Sequence, residues 1–460
     1  MDTLIKNGLV VTATDTYTAD VAISGGKISQ VGADIVAPAG VRVIDARGKY
    51  VMPGAIDVHV HLQLPFCGTV SADDFENGTK AGACGGVTTV IDYAIQQKGH
   101  SLWEAIEARR READPKVCVD YGLHAGITDW GIAGKEMDDV VKYGIPTFKM
   151  FMVYKAQGWM AEDSDLIQAL EGTARNGGML TVHAENDSAI NLLIDRNRGR
   201  AKELGAYGHA LCRPNYTEYE AIRRAILWAE VTGGRLYIVH MSTGEGADAV
   251  KDGRDRGVDV HAETCPQYLL LDDERFKGPD GHLYGTCPQL RKPADQARLW
   301  RALADGTVQV LATDTCTFNT TQKAMWGGDF TKIPFGMPGV ETLLPLAHTC
   351  GVGAARFSLN RLVQVCCTNP AKLFGLYPNK GTLAVGADAD VVVFDPDRKV
   401  TLSHKNLQTN CDWSPFEGFE LKGYPAVTLS RGRVVAENGK FVGEVGHGRF
   451  VQGHAWGKLD

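Results

Sequence analysis

Two histidines set two residues apart, His59 and His61, close the apolar run AIDVHVHL at 55–62. In an extended strand, residues i and i+2 share a face, so both imidazoles can converge on one metal ion. Later apolar runs end in the same way: His183 in MLTVHAE, His240 in RLYIVHM and Asp314 in VQVLATD. The two later imidazoles could hold a second ion, and the aspartate could both ligate and exchange protons. One strand-end histidine is more often a satisfied core residue. Six metal-competent or chargeable groups at one end of five apolar runs are harder to explain by packing, because ionisable groups are costly to bury unless paired or metal-bound.

The sixth group is Lys149, set in TFKMFMVY with Phe148, Met150 and Phe151 around it. One reading is a buried stem whose ammonium reaches past the strand end. The other is an amine with a pKa depressed by burial, nucleophilic enough to take up carbon dioxide as a carbamate. That anion would bridge two divalent cations.

Eight apolar runs supply the elements that must position these groups: 55–62, 87–94, 117–127, 147–154, 179–185, 235–241, 258–265 and 308–314. Helical stretches such as 221–232 and 295–305 separate them. Continuous apolar strands alternating with helices predict a parallel sheet covered by helices, and eight repeats predict closure into an α/β fold of the (β/α)8 TIM-like barrel type. An open doubly wound sheet is the alternative. In a barrel, catalytic groups gather at the C-terminal ends of the strands, where the six residues fall.

The chain ends differ in texture. Short strands with Gly, Asp and Pro between them (LIKNGLVV, TADVAIS, GKISQVG, VRVIDARGKYVM) predict antiparallel β structure up to about residue 50, and TLAVGADADVVVFDP and AVTLSRGRVVAENGKFVG repeat the pattern near the C-terminus. The expected organisation is a small β-sandwich built from residues 1–52 and 379–445, a hydrolase barrel over 53–378 and a C-terminal tail over 446–460.

At 460 residues the chain suits one barrel, which needs about 250 residues, plus an accessory domain. A charged fraction of 22% against 44% hydrophobic residues is the profile of a soluble globular protein. The net charge of −7 is spread along the chain with no Lys/Arg run, which argues against nucleic acid as a partner. No apolar stretch reaches the roughly 18 residues of a membrane span. MDTLIKNGLVVTA lacks a signal-peptide layout, so a cytoplasmic location is expected. The eleven cysteines include no CxxC pair and read as reduced thiols.

The motifs MPGAIDVHVHL, ACGGVTTVIDY, FKMFMVYK, TVHAEND, LYIVHMS, AETCPQYLLLDD, PAKLFGLYPNKGTLAVGADADVVVFDP and WSPFEGFELKG span almost the whole chain. Together they resemble the amidohydrolase superfamily, and more closely its hydantoinase/dihydropyrimidinase branch. The resemblance implies a two-metal hydrolase, usually a zinc enzyme, that opens cyclic amides or ureides to N-carbamoyl amino acids, often as a homotetramer, with a homodimer the smaller option. It implies that His59, His61 and Asp314 hold the more buried ion, His183 and His240 the other, and that carboxylated Lys149 bridges both. Tyr154 falls where the family has an oxyanion-stabilising tyrosine, and Asp314 would shuttle the proton. The loops carrying Leu64, Phe66, Phe151, Cys287 and Phe335 would contact substrate.

Three positions depart from the family pattern: Thr315 in place of a histidine, Cys287 in place of a serine, and Phe335 in a run that is usually Pro-Asn-Gly. They leave substrate choice and turnover open. His124, Glu185, His261 and the Asp187–Ala189 run read as supporting or core polar residues. Allantoinase, dihydroorotase and a non-catalytic scaffold of the same fold are the rival readings; the intact set of six argues against the last.

Overall fold

A computed structural model of the protein describes residues 1–455, so residues 456–460 of the expected tail lie outside the described residues. Its centre is a set of eight strands, β1 (Ala55–Val60), β2 (Val87–Ile95), β3 (Asp120–Gly126), β4 (Thr147–Phe151), β5 (Met179–His183), β6 (Leu236–Ile238), β7 (Val260–Thr264) and β8 (Val310–Leu311). All pair in parallel and in sequence order. Each is buried almost from end to end, as in β1 and β5, because a parallel sheet is covered on both faces. The chain just past β8 meets β1 through a parallel bridge between Thr315 and Val60. There the His61 N–H donates to the Thr315 carbonyl at 2.7 Å, and the Thr315 N–H donates to that of His59 at 3.3 Å. The seam that closes the barrel therefore sets His59, His61 and Asp314 side by side.

Helices cover the outside. In Asn215–Thr232 the buried residues Ala221, Ile222, Ala225, Ile226 and Ala229 recur at three- and four-residue steps, which turns one face to the strands. Gly233, at φ +68°, stops that helix in the left-handed region that glycine adopts without strain. No helix among the described residues is long and apolar enough to cross a membrane.

The two chain ends meet in one nine-stranded sheet. Val391–Thr401 pairs with Tyr50–Pro53, and Val10, Val51, Val391 and Leu429 share a small core. The N-terminal block is mixed and not wholly antiparallel. Thr3–Val11 runs antiparallel to Thr16–Ser24 but parallel to Arg42–Asp45 and Tyr50–Pro53. The cause is the connection over 33–41, which carries the chain back across the sheet before it pairs again.

At the barrel end opposite the six residues, buried Lys380 pairs with Asp120 of β3 at 2.6 Å, with Asp390 at 2.6 Å and with Asp388 at 3.0 Å. Arg431 also reaches Asp120, at 3.0 Å. Removing one member of such a network leaves a buried charge uncompensated, so this cluster ties the sheet to the barrel. Residues 446–455 run along the same end, the Val451 N–H donating to the Tyr121 carbonyl at 2.8 Å.

Candidate active site

His59 and His61 stand at the end of β1 with ring centroids 5.2 Å apart. Their Nε2 atoms lie 3.3 and 3.4 Å from Asp314 Oδ1. His183 ends β5 and His240 follows β6; their rings are 4.5 Å apart, and His240 is 5.2 Å from His59. Lys149, central in β4 and 2% exposed, places Nζ 5.3 Å from the ring centroids of Tyr93 and Phe151. Among the described residues no carboxylate lies within ion-pairing distance of it.

Three non-glycine residues here adopt left-handed backbone: His240 at φ +38°, Asp314 at +54° and Tyr154 at +72°. Such conformations cost about 1–3 kcal/mol each and persist only where the surroundings over-determine them. For His240 one determinant is visible, since its N–H donates to Glu263 Oε1 at 3.0 Å.

Glu263 also contacts His59 Nδ1 and accepts from the Tyr237 hydroxyl at 2.9 Å. A proton on Nδ1 leaves the His59 Nε2 lone pair facing an Asp314 oxygen. With Asp314 ionised, two acceptors face each other, an arrangement that a cation between them would relieve. His59 Nε2, His61 Nδ1 and His240 Nδ1 are all buried without a hydrogen-bond partner. One ligand atom from each of His59, His61 and Asp314 falls within 4.8 Å of the others. This nitrogen and oxygen donor set fits a divalent ion of the zinc type. His183 is oriented in turn by Glu185, 2.7 Å from its Nε2, and Arg213 reaches the same carboxylate oxygen at 2.7 Å.

Burial governs the protonation states. It holds His59 and His240 well below the usual imidazole value, His61 down to about 3 and His183 down to about 4, which leaves all four neutral, the ligating form. It lowers the Lys149 amine to about 7 and raises the Asp314 and Glu263 carboxyls to about 8. Glu185 is the exception: burial would raise it, but the Arg213 guanidinium and the His183 hydrogen bond hold it well below the carboxylate range. The Tyr154 phenol is pushed well above its usual value, chiefly by burial, and stays protonated.

His59, His61, Lys149, His183, His240 and Asp314 line one cavity. Leu64, Phe66, Phe151, Tyr154, Cys287 and Phe335 line it as well, so all twelve residues singled out in the sequence surround one space. Ile95, Trp159, Thr286, Cys316 and Gly336 line it too, and sequence reasoning missed them. Trp159 stacks on Phe66 at 5.7 Å; its signal was an aromatic residue in the same loop as Tyr154. Glu263 was also missed, although it ends an apolar run just as the flagged residues do. His124 bonds Thr147 Oγ1 and the Val58 carbonyl, His261 bonds Asp259, and neither lines the cavity. Asp187 accepts from the Lys155 N–H. The Thr315 hydroxyl meets Thr313 Oγ1 at 2.6 Å, beside Asp57 and behind the seam, so this departure lies outside the cavity wall.

A family model described as "Amidohydrolase family" matches residues 50–435. A D-hydantoinase from Geobacillus stearothermophilus is 42% identical over 466 aligned residues, covering 100% of this chain and 98% of that protein. A dihydropyrimidinase from Rattus norvegicus is 41% identical, covering 97% and 88%. The crystal structure of a dihydropyrimidinase from Brevibacillus agri superposes with a TM-score of 0.97 at 40% identity, over 100% of both chains.

The unpartnered imidazole nitrogens predict that Zn2+ stabilises metal-stripped protein. A ligand at a hundredfold excess over Kd adds about 2.7 kcal/mol to the folded state, so the thermal midpoint should rise on titration, and His59→Ala or His240→Ala should blunt the rise. A midpoint indifferent to Zn2+, Mn2+ and Co2+ would contradict the reading of this donor set.

Proposed function

The chain belongs to the amidohydrolase family, in its hydantoinase and dihydropyrimidinase branch, and on that premise we propose that it hydrolyses the ring amide of 5-substituted hydantoins, and more slowly of dihydropyrimidines, to N-carbamoyl amino acids. The observation that carries this reading is the convergence of four neutral imidazoles, Lys149 and Asp314 on the floor of an otherwise apolar cavity. His59, His61 and Asp314 would hold one divalent ion, His183 and His240 the other, with a carbon dioxide-derived carbamate on Lys149 between them. Zinc suits the donors best. When bound, such ions supply Lewis acidity toward a carbonyl and a water that ionises near neutral pH.

The chain's own residues do the rest. The burial that raises the Asp314 carboxyl to about 8 would be offset by cations bound beside it, and Asp314, with Oδ1 3.3 Å from His59 Nε2, would then take the proton of the attacking water and deliver it to the leaving ring nitrogen. The Tyr154 hydroxyl, kept protonated by burial, donates to the oxygen that gains charge as the ring carbonyl becomes tetrahedral. Thr286, Cys287, Phe335 and Gly336 shape a slot for the ring. Phe66, Phe151, Trp159 and Leu64 offer an apolar wall for the substituent at ring carbon 5 and exclude water from the floor. Burial of that substituent is favoured by about 25 cal/mol per Å2 of apolar area. Among the described residues the lining contains no arginine to pair with a substrate carboxylate. Preference for the D enantiomer is part of the proposal, in line with the D-hydantoinase relative.

A cytoplasmic location fits eleven free cysteines. A homotetramer or homodimer fits the large exposed apolar side chains Leu192, Tyr216, Leu227 and Val231 on neighbouring helices.

Values of kcat/KM for 5-phenylhydantoin, dihydrouracil, allantoin and dihydroorotate with the zinc-loaded protein test the substrate class. The aryl hydantoin should be fastest; fastest turnover of the charged dihydroorotate or the polar allantoin would overturn the assignment. Tyr154→Phe should keep its zinc and lose on the order of 10²–10³ in kcat, the effect of removing one oxyanion donor. Retention of half the parent rate would contradict that role.

A further inference from the structure

The slot for the ring is built from two loops far apart in sequence. Thr286 and Cys287 come from one, Phe335 and Gly336 from the other. The loops touch where the Gly336 N–H donates to the Gly285 carbonyl at 2.9 Å. Gly336 is at φ +145°, and a Cβ there would lie 2.2 Å from the Cys316 carbonyl oxygen, so the second loop also presses against the chain that follows Asp314.

Lys323 occupies the angle between these loops. It ends the short helix Thr320–Lys323 and is 0% exposed. Its Nζ donates to the Gly285 carbonyl at 3.0 Å and to the Pro334 carbonyl at 2.7 Å. Each accepting residue immediately precedes a cavity-lining pair. The rings of Phe318 and Trp413 flank the nitrogen at 5.9 and 5.8 Å. Trp413 is itself fixed by its indole N–H, which donates to the Phe318 carbonyl at 2.8 Å. Among the described residues no carboxylate pairs with Lys323, and burial lowers its amine to about 7. A buried lysine with no anion is costly to a fold, and a leucine or methionine would fill the same space without that cost. What the amine adds is a pair of donors that hold two main-chain carbonyls at a set separation.

We propose that Lys323 is a positioning residue for substrate recognition, stapling the 285–287 and 334–336 loops so that they present a rigid slot to the ring of the cyclic amide. The role rests on the cavity being the hydrolase site proposed above. Lys323 does not line the cavity. Its loss therefore loosens ring binding while the metal-holding residues on β1, β4 and β5 keep their places.

The test compares zinc-loaded parent, Lys323→Met and Lys323→Arg on 5-phenylhydantoin and dihydrouracil. The Met variant should keep the parent's zinc content and lose less than about twofold in kcat, while KM rises about tenfold, the factor that 1.4 kcal/mol of binding makes. Peptides covering 284–290 and 333–337 should exchange amide hydrogens faster than in the parent, with those covering β1 and β5 unchanged. The Arg variant, which keeps the donors, should recover most of the KM. If the Met variant is insoluble, Lys323→Gln, which keeps one neutral donor group, should raise KM by a smaller factor at unchanged zinc content. Unchanged KM in a soluble Met or Gln variant overturns the role, and so does a fall in kcat and zinc at constant KM. A parent that turns over no cyclic amide overturns the substrate reading and this role with it. A normal parent beside a Met variant of unchanged KM overturns the role of Lys323 alone.

Discussion

Lys149 lies in a barrel strand at 2% exposure, among four imidazoles and two aromatic rings, and burial there lowers its amine to about 7. Among the described residues an ammonium in such a place has no carboxylate within ion-pairing distance, and the charges of Glu263 and Asp314 offset only part of the burial cost. The same desolvation strips the proton from the histidines and favours the neutral forms of Asp314 and Glu263. A neutral amine can add carbon dioxide, and the resulting anion, with Asp314, suits a pair of divalent cations. The electrostatics of the floor thus follow from a single constraint, which is that closing the barrel removes water from residues that would otherwise ionise differently.

Closure also sets the geometry. The hydrogen bonds between β1 and Thr315 that complete the ring of strands bring Asp314 to the two histidines of β1. Behind them, Glu263 contacts His59 and holds the His240 backbone, while Glu185, itself anchored by Arg213, orients His183. Partners of this kind fix the tautomer and direction of a ligating imidazole. At His240 the left-handed backbone is held by the hydrogen bond to Glu263. Strands and the residues just past their ends therefore carry the groups proposed to hold ions, and loops carry most of those proposed to meet substrate.

Much of this was legible in the sequence because it is periodic or local. The eight apolar runs became eight barrel strands in the expected order, and polar residues ending apolar runs marked the floor of the site. The pattern used for His183 and His240 would also have flagged Glu263, had carboxylates been searched as closely as imidazoles. The parallel pairing of Thr3–Val11 was not legible, since strand texture says nothing of the direction in which a later segment returns. Nor was the Lys323 contact, which depends on loops separated by 38 and 11 residues from the lysine meeting in space. Thr315 looked like a change in the site, yet its side chain turns to Thr313 behind the seam.

The central claim is that Lys149 works as a bridging anion and not as a cation or a bare amine. Carbon-13 NMR of zinc-loaded protein prepared in labelled bicarbonate addresses it directly. The account predicts a protein-bound carbamate carbon that appears with zinc, disappears when the metal is chelated, and is absent from Lys149→Ala. A fully zinc-loaded, active protein that shows no such carbon would contradict it.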